Sequence, residues 1–178
     1  VGDRVAYPML KGGYTQARCI PAWKAVHLPD AIDDQTAAAM MLKGMTAHYL
    51  LHRTYPVKPG DAVLVYAAAG GVGQILCQWG KALGATVIGC VGSEEKAGKA
   101  TFMASLDSLR PFGVLATYGN ASGPVDPISP AILGPKGSLY LTRPTLATHT
   151  RNPEILTEGA NALFDAVTSG KVKININQ

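Results

Sequence analysis

Apolar positions along this chain follow two rhythms. From Ala62 to Tyr66 they run without interruption, with Pro59-Gly60-Asp61 before them and Gly70-Gly71 after. An apolar run of strand length between turn residues predicts a buried strand. Val72, Leu76, Trp79 and Leu83 then recur at intervals of three and four, which is one face of a helix, and Gly84 is placed to close it. Thr86-Val87-Ile88-Gly89-Cys90-Val91 reads as a second buried strand. Strand, glycine turn, helix and strand within about 30 residues predict a βαβ unit with parallel strands and a right-handed crossover.

The flanks are read the same way. Residues 33–53 predict a helix that Asp33 or Asp34 caps and that Pro56 and Pro59-Gly60 stop. Thr101 to Arg110 predicts another helix, Gly113 to Tyr118 a third strand, and Gly119 to Pro124 a loop at its C-terminal end. Gly137 to Leu141 is a fourth strand candidate, Pro153 to Ser169 a helix, and Val172 to Ile176 an alternating, closing strand. Residues 1–30 read as short extended pieces, Asp3 to Tyr7 and Tyr14 to Ile20, broken by Pro21 and Pro29. That stretch is too small to hold a core of its own. No internal repeat or low-complexity tract interrupts the chain.

Composition narrows the class. Of 178 residues, 47% are hydrophobic and 16% charged, against about 25% charged in an average globular domain. This excludes a disordered chain and suits a parallel sheet covered by helices. No apolar run approaches the roughly 18 residues of a membrane span, so no membrane partner is expected. The net charge is +4, and the longest basic cluster is Lys171-Val172-Lys173. So thin an excess lacks the stripe of a nucleic-acid binder, and a nucleic-acid partner is not expected; it fits an anionic small ligand. Cys19, Cys77 and Cys90 have no C-x-x-C spacing. They read as reduced thiols, with Cys77 and Cys90 in the core, and imply a cytoplasmic location.

The segment with chemistry in it is Ala68-Ala69-Gly70-Gly71-Val72-Gly73, between the first buried strand and its helix. In that setting it matches the dinucleotide fingerprint, with Ala68 in place of the first glycine. Gly70 lets the backbone approach a pyrophosphate, Gly73 lets helix and strand pack closely, and the first helical amides point at the phosphates. A tight strand–helix turn without a nucleotide is the alternative. An NAD site places an acid about 20 residues on, at the end of the second strand. Here that strand ends Cys90-Val91-Gly92-Ser93, followed by Lys96. A hydroxyl and a cation suit the 2′-phosphate of NADP, while Glu94 and Glu95 alongside oppose it unless they face solvent. Other features carry less. His48 and His52 have the spacing of a zinc motif, but Tyr49 stands where its glutamate belongs. Gly119 to Gly123 resembles a nucleophile elbow with Ala121 at its centre, which excludes hydrolase chemistry there.

Taken together, these segments resemble the NADPH-dependent quinone oxidoreductases of the medium-chain dehydrogenase/reductase superfamily, the group that contains zeta-crystallin. The resemblance is carried by Val1-Gly2-Asp3-Arg4-Val5-Ala6-Tyr7, Leu42-Lys43-Gly44-Met45-Thr46-Ala47, Tyr66 to Gly73, Gly92-Ser93-Glu94-Glu95-Lys96, Tyr118 to Gly123 and Gly137 to Pro144. It implies an α/β fold, an incomplete Rossmann-type parallel sheet with helices on both faces. Residues 1–30 would be the C-terminal remnant of a GroES-like β domain, the catalytic domain, and residues 31–178 an NADP-binding domain. It also implies site roles. Thr46 would approach the nicotinamide, and Gly70, Gly71, Val72 and Gly73 the pyrophosphate. Gly92, Ser93 and Lys96 would hold the 2′-phosphate. Tyr118, Gly119, Asn120 and Ala121 would line the nicotinamide ribose, with Pro144, Thr145 and Leu146 near the carboxamide. Zinc-dependent relatives carry a cysteine ligand four residues before the threonine; Leu42 stands there, which implies the zinc-free branch.

The expected activity is hydride transfer from NADPH to a quinone or another electron-poor acceptor, with no catalytic acid named. Reduction of an activated C=C bond in an enal or enone is one alternative, and a non-enzymatic NADPH- or RNA-binding crystallin-like protein is another. A homodimer through a sheet edge, with Gly137 to Pro144 as the candidate strand, is implied by the family. The resemblance also implies missing segments at both ends and between Ala100 and Thr101, where family members carry helices and strands. The chain is therefore expected to be part of a larger molecule.

Overall fold

The computed structural model describes residues 1–10, 12–91, 101–119 and 125–176. Helix α1, Asp34–Tyr49, begins where the sequence places its cap. The Asp33 carboxylate accepts the Thr36 amide at 2.8 Å and the Thr36 hydroxyl at 2.7 Å, which occupies one of the helix's unpaired amides. These bonds hold the Asp33 carboxyl below its usual range. Beyond Tyr49 the helix widens into a π-helical turn, Leu50–Thr54. Strand β3, Ala62–Val65, helix α2, Gly71–Ala82, and strand β4, Thr86–Gly89, form the expected parallel unit. Ala62 pairs with Thr86 and Val65 with Gly89. Gly84 turns the chain at φ +86°, a left-handed conformation that glycine adopts without strain.

Helix α3 is shorter than expected, Phe102–Asp107. Strands β5, Val114–Ala116, and β6, Tyr140–Thr142, form a second parallel pair with Val114 opposite Tyr140. Helix α4 spans Pro153–Thr168, and the Asn152 side chain caps it by accepting the Ile155 amide at 3.0 Å. The main core joins α1, α2, α4 and β3 through side chains such as Met40, Met45, Trp79, Leu156 and Leu163. Gly44 of α1 sits so close to Leu163 of α4 that a Cβ there would lie 2.4 Å from a Leu163 methyl. A smaller cluster of Phe102, Leu106 and Leu139 packs α3 beside β6.

Three expectations need correction. Tyr14 to Ile20 forms no strand: nearly all of it is exposed, and a strand without a partner or a buried face does not persist. Instead β1, Val5–Ala6, pairs antiparallel with β2, Val26–His27, which the pattern did not predict. Ala6, Val26 and Leu28 lie in the main core. Val172 to Ile176 makes no ladder. Val172 is buried, and the backbone is held by Gln78, which accepts the Lys173 amide at 2.8 Å and donates to its carbonyl at 3.2 Å. Cys77 and Cys90 are half-buried free thiols rather than core residues.

Among the described residues the parallel strands stand as two separate pairs, β3–β4 and β5–β6, with no ladder between the pairs. This is an α/β fold with its sheet incomplete, as expected from the discontinuity near Ala100. Val63, Val65 and Val87 face the core, whereas Leu64 and Ile88 on the other face remain 38% and 55% exposed. Tyr66, next along β3 on that side, meets α3 through the Ser105 hydroxyl at 3.1 Å.

Candidate functional site

The chain leaves β3 through a tight turn. Ala67 takes a left-handed conformation, φ +51°, and its carbonyl accepts the Gly70 amide at 2.9 Å. The Ala68 amide donates to the Cys90 carbonyl at 3.0 Å, and the Cys90 amide to the Val65 carbonyl at 2.8 Å, so the turn is tied to the end of β4. Gly70 then caps α2 in an extended conformation, and Gln74 donates the first intrahelical bond, to the Gly70 carbonyl at 2.9 Å. The amides of Gly71, Val72 and Gly73 precede that bond and are left for a ligand or solvent, at the positive end of the helix dipole.

The three glycines of this turn differ in what surrounds them. A Cβ on Gly73 would stand 2.2 Å from the Ala67 oxygen and 2.7 Å from the Ala68 Cα, so only hydrogen fits. A Cβ on Gly70 would be tight against the same oxygen at 3.1 Å. On Gly71 it would meet no backbone but the side chain of Lys43, with Cδ and Cε both at 2.7 Å. Gly73 therefore presses helix against turn, as the pattern predicts, and the cradle a dinucleotide needs is present.

The remaining expected residues lie just past the ends of the other strands. β5 ends at Ala116, and Thr117 continues its pairing by donating an amide hydrogen bond to the Thr142 carbonyl at 3.0 Å. Tyr118 is half-buried against the main core, and burial, with the Cys77 thiol nearby, pushes its phenol up. Tyr49 of α1 is pushed up in turn, by its own burial first and by Tyr118 second. Tyr118 packs against the core that α1 and α2 share. Gly119 is exposed, and its carbonyl accepts from Arg143. Past β6, Pro144 is half-buried and Thr145 exposed, its hydroxyl 3.1 Å from that of Thr148. The Leu146 side chain is in the core and its carbonyl accepts the Thr150 hydroxyl at 2.9 Å. Thr46 lies on α1 with its hydroxyl donated to the Leu42 carbonyl at 2.9 Å. Gly92, Ser93, Lys96, Asn120 and Ala121 lie outside the described residues.

Every described candidate except Thr46 follows the C-terminal end of a parallel strand. In open α/β sheets that edge is where ligands bind, because the helix N-termini and the loops converge there. Residues 70–73 fit a dinucleotide by their free amides and by the space their missing Cβ atoms leave. Two residues in contact with the candidate positions went unread in the sequence. Arg143 donates to the Thr117 carbonyl at 2.7 Å and the Gly119 carbonyl at 2.8 Å, and so fixes the chain leaving β5. Lys43 lies across Gly71; its place three residues before Thr46 on one helix was the available signal. Lys43, Gly71, Gln74, Lys173 and Asn175 line a cavity of about 130 Å³ at this turn. Asn175 reaches it by donating to the Gln74 side chain at 2.8 Å, and Gln74 donates to the Ala69 carbonyl at 2.6 Å.

No family model matches the chain. A quinone oxidoreductase of Pseudomonas aeruginosa is 42% identical over 220 residues, covering 100% of this chain and 67% of that protein. That span exceeds the 178 residues of the chain, so the relative carries segments within it that have no counterpart here. A 2-haloacrylate reductase of Burkholderia is 44% identical over 214 residues, covering 96% of this chain and 64% of that protein. Among solved structures, the Escherichia coli quinone oxidoreductase complexed with NADPH superposes with a TM-score of 0.81 at 39% identity, covering 88% of this chain and 60% of that one. A Pseudomonas syringae quinone oxidoreductase superposes at 0.91 with 41% identity, covering 98% of this chain and 66% of that one. The chain spans about two thirds of the length of these relatives.

Proposed function

The chain belongs to the quinone oxidoreductase family of the medium-chain dehydrogenase/reductase superfamily, and we propose that, as an oxidoreductase with NADPH as its cofactor, it reduces a quinone without zinc. One observation supports this above the rest: the Gly73–Ala67 cradle sits at the C-terminal end of a parallel strand pair. NADPH, when bound, supplies the hydride. The protein's part is to bind, orient and exclude water. The amides of Gly71 to Gly73 would take the pyrophosphate, and Thr46 and Tyr118 would border the nicotinamide end. Gly92, Ser93 and Lys96 would hold the 2′-phosphate, with Asn120 and Ala121 beside the ribose. Arg143 holds the β5 exit in place through two carbonyls. No side chain is assigned as acid, because a reduced quinone can take its protons from water. Leu42, an apolar residue one turn before Thr46 and 51% exposed, supports the zinc-free reading.

A second acceptor class has a specific observation in its favour. The similar Burkholderia protein is a 2-haloacrylate reductase, whose substrate by name is a conjugated alkene. Quinones and such alkenes both accept hydride at an electron-poor carbon, so the same cleft chemistry serves either. Residues 1–30 would be the end of a catalytic β domain whose remaining part completes the cleft. A cytoplasmic homodimer paired through Gly137 to Pro144 completes the proposal.

The test is NADPH oxidation by the 178-residue chain with a quinone and, separately, an enone. Gly71→Asp places a carboxylate where the pyrophosphate would lie, and like charges so placed cost several kcal/mol. The expected loss of quinone-dependent turnover is about 100-fold or more. Unchanged turnover in the variant sinks the assignment. The ratio of the two acceptor rates decides the substrate class.

A further inference from the structure

Lys43 stands in an electrostatically awkward place. Its side chain lies along the start of α2, so that a Cβ on Gly71 would meet its Cδ and Cε at 2.7 Å and its Nζ at 3.0 Å. Gly71 is the first residue of that helix. A helix N-terminus carries about half a positive charge and repels an ammonium group. Lys173 lines the same cavity. Among the described residues neither ammonium has an ion pair or a hydrogen bond. A solvent-exposed lysine ordinarily extends into water; this one is folded back over a positive pole. Such an arrangement is unfavourable alone and becomes favourable when an anion enters between the ammonium and the helix start.

We propose that Lys43 is a cofactor-binding residue whose ammonium neutralises the pyrophosphate of the bound dinucleotide at Gly71. This rests on the NADPH reading above and adds a residue to it. The direction along α1 agrees: Lys43 and Thr46, three residues apart, share one face of the helix. Lys43 is at the pyrophosphate turn, and Thr46 would be at the nicotinamide end. The proposal also explains Gly71. The dinucleotide pattern requires glycine at Gly70 and Gly73 and leaves the position of Gly71 open. Glycine is needed there because any Cβ would push the lysine away.

The experiment is a binding titration of the 178-residue chain with NADPH and with NADH, following nicotinamide fluorescence, for Lys43→Met, Lys43→Arg, Gly71→Ala and the Lys43→Met/Gly71→Ala pair. A charge-assisted contact is worth roughly a tenfold change in Kd. Lys43→Met and Gly71→Ala are each expected to raise Kd about tenfold, by the same factor for both nucleotides. The pair should be no weaker than either alone, since both changes remove one contact. Lys43→Arg should recover most of the affinity. Melting temperatures identify any variant that fails to fold, and the two Lys43 substitutions then carry the test without Gly71→Ala. Wild-type affinity in Lys43→Met overturns the proposal. So does a loss confined to NADPH, which would place Lys43 at the 2′-phosphate. Absence of saturable binding in the wild type overturns the cofactor reading itself, and the proposal with it.

Discussion

Gly73 and the Ala67 carbonyl are in contact across the strand–helix turn, with room for a hydrogen and nothing more. A Cβ at Gly73 would lie 2.2 Å from that oxygen and 3.0 Å from its carbon, and both are backbone atoms that no rotamer change can move. Gly73→Ala is therefore expected to push α2 away from β3. Overpacking of this kind costs roughly 1–3 kcal/mol. Thermal unfolding followed by circular dichroism should show a lowered Tm, and NADPH affinity should fall with it as the amides shift. A wild-type Tm would show that the turn yields more easily than its geometry indicates.

Ala67 itself holds φ +51°, and the left-handed region costs an alanine about 1 kcal/mol or more. Ala67→Gly removes that strain and leaves the Gly70 hydrogen bond in place, since only the backbone takes part. Urea unfolding is expected to give a gain of roughly 1 kcal/mol, reduced somewhat by the greater freedom of glycine in the unfolded chain. A loss of stability would mean that the Ala67 methyl contributes packing that outweighs the strain.

Acid should weaken the packing of α1 against α2 and α4. His48 stacks on His52 with ring centres 4.9 Å apart, and His52 meets the Trp79 ring at 5.1 Å. Burial first, and then the nearby His52, Arg53 and His149, hold the His48 imidazole down to about 4 from an ordinary 6.5. His52 and His149 are lowered by burial too, Glu158 opposing the shift at His52 and Arg53 adding to it at His149. Glu158 is paired with Arg53. Above about pH 6.5 the imidazoles are neutral in both states and the stability is fully present. As the pH falls toward 4, the unfolded chain takes up protons that the folded chain refuses, and stability is lost. Urea midpoints should therefore drop between pH 7.5 and pH 5. His48→Phe keeps a ring in the stack without a proton site, so its midpoint should drop less. Equal slopes in the two proteins would place the acid sensitivity elsewhere.

Much of the fold was legible in the sequence because it is locally encoded. The βαβ unit over Ala62 to Gly89 is written in an apolar run, a helical stripe and the glycines between them. Asp33 marks a helix start that needs no distant partner. The turn of the candidate site was legible for the same reason: Gly73 and Ala67 are near neighbours in the chain. Arg143 was not legible, because its two acceptors, Thr117 and Gly119, lie 26 and 24 residues away.

The sequence by itself determined the βαβ unit, the helices and the glycine turn between β3 and α2, since each follows from spacing within about 30 residues. Tertiary structure alone decided three other things. It paired Val5–Ala6 with Val26–His27 and left Tyr14 to Ile20 unpaired, because a strand's fate depends on which edge comes beside it. It gave the backbone of Lys173 to the Gln78 side chain instead of a ladder. It laid Lys43 of α1 over Gly71 of α2, a contact set by how two helices pack. Spacing along one chain fixes which face a residue is on. What stands opposite that face depends on long-range packing, and that is what brought Lys43 to the glycine turn.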